Sequence, residues 1–213
     1  MIDTYRHKGL RLRLVDEIER KGITDSNVLS AIGNVPRHLF FESSFMQFAY
    51  QDKAFPISAG QTISQPYTVA FQTQLLKIKS GDKVLEVGTG SGYQAAVLIE
   101  VGAKVYTIER QKELYNKTST FLPRLGYRPL FFYGDGYAGL PKYGPFDHII
   151  VTAGAPYIPE DLLTQIKIGG NMVIPVGDKS QNMIRITRIS ATEFDQEDFG
   201  KFAFVPMLKG TAK

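Results

Sequence analysis

The 213-residue chain is predicted to fold as an α/β protein: a doubly wound, mostly parallel sheet with extra N-terminal helices and a C-terminal antiparallel hairpin. Three observations predict it. From Lys83 onward, short β-branched runs (KVLEV, KVYTI, PLFFY, DHIIVT, NMVIPV) alternate with helical stretches, the pattern of parallel strands covered on both faces. The first run passes straight into glycines and then a helix, VLEVGTGSG over Val84 to Gly92. The second ends in an acid, Glu109, about 20 residues further on, the spacing of a ribose-binding carboxylate in a Rossmann-like unit.

The elements follow in order. Residues 5–21 place Leu10, Leu14 and Ile18 four apart among charges, an amphipathic helix that stops at Gly22. Thr24 or Asp25 can cap a second, short helix carrying Val28, Leu29 and Ile32, which Pro36 ends. Residues 37–65 hold no sustained period and read as a long ordered loop rich in Phe, Gly, Ser and Gln. Pro66 suits the first turn of a helix whose apolar face is Phe71, Leu75 and Ile78. After the five strands, MIRITRI and FAFVPM come close together without a helix between them and are predicted to form the edge hairpin. One domain is expected, with residues 1–80 carrying the helices and substrate loop, 81–178 the cofactor core and 179–213 the hairpin.

Composition narrows the chemistry. Without cysteine there is no disulfide framework, no thiolate nucleophile and no cysteine-held metal, which fits a reducing compartment; the cytoplasm is the expected location. No apolar run approaches the roughly 18 residues of a membrane span, and residues 1–14 are charged throughout. The net charge of +4 is scattered, densest at Arg6, Lys8, Arg11 and Arg13, and reads as a solvated helix face more readily than as a nucleic-acid footprint.

At the glycine loop the backbone can approach a ligand closely, and the following helix offers unpaired N–H groups to an anion. A dinucleotide fingerprint counted from Gly88 needs a third glycine where Tyr93 stands, which disfavours a nicotinamide cofactor. Asp135 sits between glycines after the third strand, placed to accept from an adenine amino group; a plain Asp-Gly turn is the bland alternative. Thr152, Ala153 and Gly154 end the fourth strand with small residues that keep a cleft open, and TAGAP lacks the Asn- or Asp-Pro-Pro-aromatic signature of enzymes that methylate base amino groups.

Together with VLEVGTGSGY, the run QTISQPYTVA from Gln61 to Ala70 resembles the bacterial protein-L-isoaspartate O-methyltransferases. VPRHLFF, AFPISAGQTIS, GDG, FDHIIVTAGAP, GGNMVIPVG and FVPMLKG follow in the family's order across nearly the whole chain. The resemblance implies S-adenosyl-L-methionine as donor, with S-adenosyl-L-homocysteine as product, and isoaspartyl proteins and peptides as acceptors, methylated on the stray α-carboxylate. With the motifs, it assigns Glu86, Gly88, Thr89, Gly90, Ser91, Gly92, Glu109, Asp135, Gly136 and Thr152 to the cofactor. Thr62, Ser64, Val205 and Pro206 fall to the acceptor, Ser64 as the active-site serine and Val205–Pro206 as a strand that pairs with the peptide. Many members carry an arginine two residues before the Val-Pro, where this chain has Ala203. A monomer with no nucleic-acid or membrane partner is expected.

An ionised α-carboxylate is already a nucleophile, since its reference pKa is about 3.3 to 3.7. No catalytic triad is needed, and His7, His38 and His148 show no spacing that suggests one. His148 is expected to be a packed or edge residue, and no histidine–carboxylate cluster at helical spacing indicates a metal. Ser64, ahead of Pro66, is expected to meet the acceptor anion at a helix N-terminus, or simply to cap that helix.

Overall fold

The computed structural model describes residues 3–212. Helix α1 (Tyr5–Arg20) begins at the Thr4 cap and turns Leu14 and Ile18 into the core, as the four-residue spacing requires. Helix α2 (Ser26–Asn34) is capped by Asp25, which accepts from the N–H groups of Asn27 and Val28. Arg11 leaves the basic face assigned to it: it is buried, donates to Gly33 O at 2.6 Å and grips both oxygens of Asp3.

The segment 37–65 contains three short 3-10 turns and a two-stranded antiparallel sheet, β1 (Phe55–Pro56) with β2 (Thr62–Ile63). Aromatic contacts order it: Phe55 meets Phe41 at 5.5 Å and Phe48 at 6.0 Å. Helix α3 (Pro66–Leu76) starts at the proline as expected. Its first free N–H, that of Tyr67, is capped from a distance by Asp52 at 2.7 Å.

The main sheet has seven strands in the order β5-β4-β3-β6-β7-β8-β9. Strands β3 (Lys83–Val87), β4 (Lys104–Glu109), β5 (Leu130–Tyr133) and β6 (Phe146–Val151) are parallel to their neighbours, as is β7 (Ile166–Val176) to β6. Strands β8 (Gln181–Arg188) and β9 (Phe194–Phe202) close the edge antiparallel. Helices α4 (Tyr93–Glu100), α5 (Lys112–Phe121) and α6 (Glu160–Thr164) complete the set.

The side-chain alternation of the strands divides the core. Val84, Val105, Ile150 and Val173 face α1 to α4, whereas Leu85, Ile108, Ile149 and Met172 face the other side, covered by Leu162 of α6, Tyr137 and Met207. Each fully buried aliphatic side chain contributes about 1.5 to 3 kcal/mol, so the strand alternation fixes both layers.

One strand differs from expectation. The hairpin's outer strand is the polar FDQEDFGKF run, Phe194–Phe202, and only Phe202 of FAFVPM belongs to it. Charges on an exposed edge discourage further pairing, while the apolar residues after Phe202 pass across the carboxyl ends of β3 and β6. There Gly154 donates to Val205 O and accepts from the Met207 N–H, both at 2.8 Å. No helix among the described residues is long and apolar enough to cross a membrane.

Candidate active site

The parallel strands open at their carboxyl ends into a cleft lined by Gln61, Thr62, Gly88, Gly90, Glu109 and Thr152, and walled by Val205 and Pro206. Gly88 adopts φ +101°, and a Cβ there would lie 2.5 Å from Thr152 Oγ1, so only glycine leaves the loop open. The Thr152 hydroxyl points back, donating to Val87 O at 3.0 Å or Gly88 O at 2.8 Å, and pins the turn. Glu109 is held by two backbone donors, Gly90 N–H at 2.9 Å and Gln111 N–H at 2.8 Å, which aims its carboxylate at the cleft rim. Those bonds use one lone pair on each oxygen and leave acceptor capacity for a pair of hydroxyls.

A groove lies alongside. Ser64, Gln65, Tyr67, Phe71, Phe199, Lys201, Phe202, Ala203 and Phe204 form it with Thr62, and Phe71 stacks on Phe202 at 5.2 Å. A small cavity of about 40 Å³, the neck, lies between cleft and groove: it shares Thr62, Gly88, Gly90 and Thr152 with the cleft and Thr62 and Ser64 with the groove, and Thr89, Ser91, Tyr93 and Gln94 also bound it. That volume admits a group of two or three heavy atoms.

Several residues expected at the cofactor lie elsewhere. Glu86 is fully buried beneath the glycine loop and reaches no cleft; its Oε2 is 2.6 Å from Thr107 Oγ1 and its Oε1 has no partner. Burial pushes its carboxyl up to about 8, with the charge of Glu109 adding to the effect. Gly92 is needed for packing: at φ +83° a Cβ would come within 2.8 Å of Thr118 on α5. Asp135 accepts from the N–H groups of Tyr137 and Gly210, one on each oxygen, which ties the C-terminal segment down; Gly136 beside it lines the cleft.

The acceptor residues are also corrected. Gln65, not Ser64, is the N-cap of α3, and the Asp52 carboxylate already occupies the Tyr67 N–H, so that donor is not free for an acceptor anion. Ser64 is instead fixed through its carbonyl, which accepts from Arg37 at 2.8 Å. Val205 and Pro206 wall the cofactor cleft, and Val205 O accepts from the Gly154 N–H. The groove borders β9 and residues 203–204 instead.

His148 joins Asn171 at 3.0 Å and Asp82 at 3.1 Å at the opposite end of the sheet, a packed residue. A histidine–carboxylate group does exist among the described residues: Asp3, His7 and His38 bring ligand-capable atoms within 4.8 Å of one another, away from the cleft lining. Arg11 there grips both Asp3 oxygens and Tyr50 bonds His38 at 2.7 Å.

Sequence reading missed the residues that shape the walls: Ile108, Arg110, Gln111 and Met207 around the cleft, and the aromatics of β9 around the groove. The spaced phenylalanines 199, 202 and 204 were the available signal.

A sequence model described as Protein-L-isoaspartate(D-aspartate) O-methyltransferase (PCMT) matches residues 11–212. The chain belongs to this family. Relatives named protein-L-isoaspartate O-methyltransferase from Christiangramia forsetii and Flavobacterium psychrophilum are 65% and 62% identical over 210 residues, covering 98% of this chain and 99% of theirs. A solved isoaspartate methyltransferase from Plasmodium falciparum, described as putative and in complex with S-adenosyl-L-homocysteine, superposes with a TM-score of 0.79 at 26% identity, covering 93% of this chain and 98% of that one. A second solved protein-L-isoaspartate O-methyltransferase gives a TM-score of 0.84 at 27% identity over 92% of this chain, which spans 65% of that longer one. As in other members of the isoaspartate methyltransferase family, the fold is the Rossmann-like methyltransferase sheet. The cleft fits the family cofactor, S-adenosyl-L-methionine: a Cβ-free cradle at Gly88 and Gly136, with a two-oxygen acceptor at Glu109.

Proposed function

We propose that this protein transfers a methyl group from S-adenosyl-L-methionine to the free α-carboxylate of L-isoaspartyl residues in damaged proteins and peptides, the step that starts their repair. The observation that supports this reading best is the neck, where Thr62, Ser64, Gly88, Gly90 and Thr152 lie between the glycine-loop cleft and an aromatic groove. Bound in the cleft, the cofactor supplies an electrophilic methyl on a sulfonium. Gly88, Gly90 and Gly136 make room for it, Glu109 accepts from its ribose, and Val205 to Leu208 shield it from water. The acceptor needs no base, so the protein's part is positioning and water exclusion. Ser64 and Thr62, at the neck, orient the carboxylate, while the groove takes the peptide on either side.

A cysteine-free sequence fits a reducing compartment, and the cytoplasm is the proposed site of action.

The test is transfer of labelled methyl to a matched pair of peptides, one isoaspartyl and one aspartyl, followed by mild base. The expected result is labelling of the isoaspartyl peptide alone, released as methanol. Equal labelling of both peptides, or none with cofactor bound, would remove the acceptor assignment. Ser64→Ala is expected to lower the transfer rate at least tenfold while cofactor affinity changes less than twofold, since Ser64 lines the neck and groove and not the cleft. Equal losses in rate and affinity would take Ser64 out of the acceptor site.

A further inference from the structure

Parallel pairing sets Glu86 of β3 beside Thr107 of β4, both on the face that looks toward α3 and α4. Thr107 Oγ1 lies 2.6 Å from Glu86 Oε2 and 2.6 Å from Thr89 Oγ1, and Thr89 borders the neck. All three residues are buried, with Glu86 at 0%, Thr107 at 0% and Thr89 at 4% exposure. A carboxyl group and two hydroxyls therefore form a single file from the core to the reaction site.

Each hydroxyl has one proton to donate, so the file can be polarised in only two directions. When Glu86 is a neutral acid its proton sits on Oε2, the oxygen with a partner, and is donated to Thr107. Thr107 then donates to Thr89, and the Thr89 proton is left to point into the neck. When Glu86 is ionised, Thr107 must donate to it, Thr89 donates to Thr107, and only lone pairs face the neck.

We propose that Glu86 is a positioning residue that, through Thr107, sets whether Thr89 offers a proton to a ligand carboxylate at the glycine loop. This rests on the methyltransferase reading of the cleft. The carboxylate is that of the cofactor's amino-acid portion or that of the acceptor, and the two are separated below. A fully buried carboxyl with one hydroxyl and one backbone N–H near it is less costly as a neutral acid than as a carboxylate, and burial accordingly pushes it up to about 8. Of the groups facing it, β4 brings the charge of Glu109 and α4 brings the Ala95 N–H. Also on α4, Tyr93 is pushed up to about 12 by burial and stays neutral, with the Arg37 guanidinium beyond its ring; α3 contributes neutral Gln72 and Thr73, and β6 has uncharged Ile150 beside Glu86.

The experiment is calorimetric titration of S-adenosyl-L-homocysteine into the full chain from pH 6.5 to 9.5, with isoaspartyl-peptide KM measured over the same range, for wild type, Glu86→Gln and Thr107→Val. The ligand's own ammonium titrates nearby, but identically for all three proteins, so the difference between curves is the readout. The carboxamide introduced by Glu86→Gln can donate to Thr107 at every pH. The expected result is a five- to tenfold loss of wild-type affinity through about pH 8 that Glu86→Gln removes while matching wild type at pH 6.5. Thr107→Val breaks the file and removes the same inflection, which keeps the test intact if one variant fails to fold. An inflection in the homocysteine titration assigns the cofactor carboxylate and does not depend on the acceptor being isoaspartate; one confined to peptide KM assigns the acceptor carboxylate. Wild-type curves that match Glu86→Gln throughout, in both arms, overturn the proposal.

Discussion

Gly88→Ala is expected to weaken S-adenosyl-L-homocysteine binding at least 100-fold, with the protein still folded. Three effects act together at this position. The φ of +101° is one that a residue with a Cβ rarely adopts, a strain of about 1 to 3 kcal/mol. The new methyl would also sit 2.5 Å from Thr152 Oγ1, displacing the hydroxyl that holds Val87 O and Gly88 O. Finally, Gly88 lines the cleft, so relief of that clash moves atoms into the cofactor's volume. The Glu109 carboxylate depends on the Gly90 N–H, two residues away, and would lose its aim with the loop. Calorimetry checks the affinity, and circular dichroism checks that the sheet survives; affinity within fivefold of wild type would show that the loop does not cradle the cofactor.

The second large effect is expected at Arg37. This guanidinium is fully buried, donates to Ala49 O at 3.0 Å and Ser64 O at 2.8 Å, and lies 4.5 Å from the centre of the Tyr93 ring. No carboxylate salt-bridges it among the described residues; burial accordingly lowers its pKa from the ordinary arginine value. Arg37→Met keeps bulk in the site but strips two buried carbonyls of their donor, at about 1 to 3 kcal/mol each, offset in part because a desolvated cation is removed. A net loss of about 3 kcal/mol follows, a fall in melting temperature of roughly 10 °C for a chain of this size. Because Ser64 is held through its carbonyl, methyl transfer should fall more steeply than cofactor affinity. An unchanged melting temperature would mean that the two carbonyls find other donors.

Glu109 and the glycine loop were legible in the sequence because they obey local rules: a strand must end, a turn of positive φ wants glycine, and an acid at the next strand end meets the same cleft. The strands themselves were legible by their β-branched runs. Arg37 was not, since an arginine in VPRHLFF has no sequence mark that separates a solvated cation from one buried under an aromatic ring. Glu86 does carry a mark: an acid in the middle of KVLEV, a strand otherwise without exposed positions, must be paired, neutral or both. Ser64 shows the opposite error. Its place before Pro66 suggests a cap, but the cap comes from Asp52, which sequence distance hides. In FAFVPM the apolar pattern signals burial without signalling a strand, because the residues cover a cleft and the charged run ahead of them takes the sheet edge.

The cofactor cleft is lined both by Gln61 and Thr62 and by Val205 to Leu208, segments more than a hundred residues apart in the chain. Gly154 meets Val205 and Met207 only where β6 and the β7 to β9 edge are in register, so this wall of the cleft rests on pairings between residues distant in sequence. A partly assembled chain therefore has the glycine loop without its opposite wall. Cofactor affinity is therefore expected to belong to the finished molecule and not to the βαβ unit that carries the sequence motif.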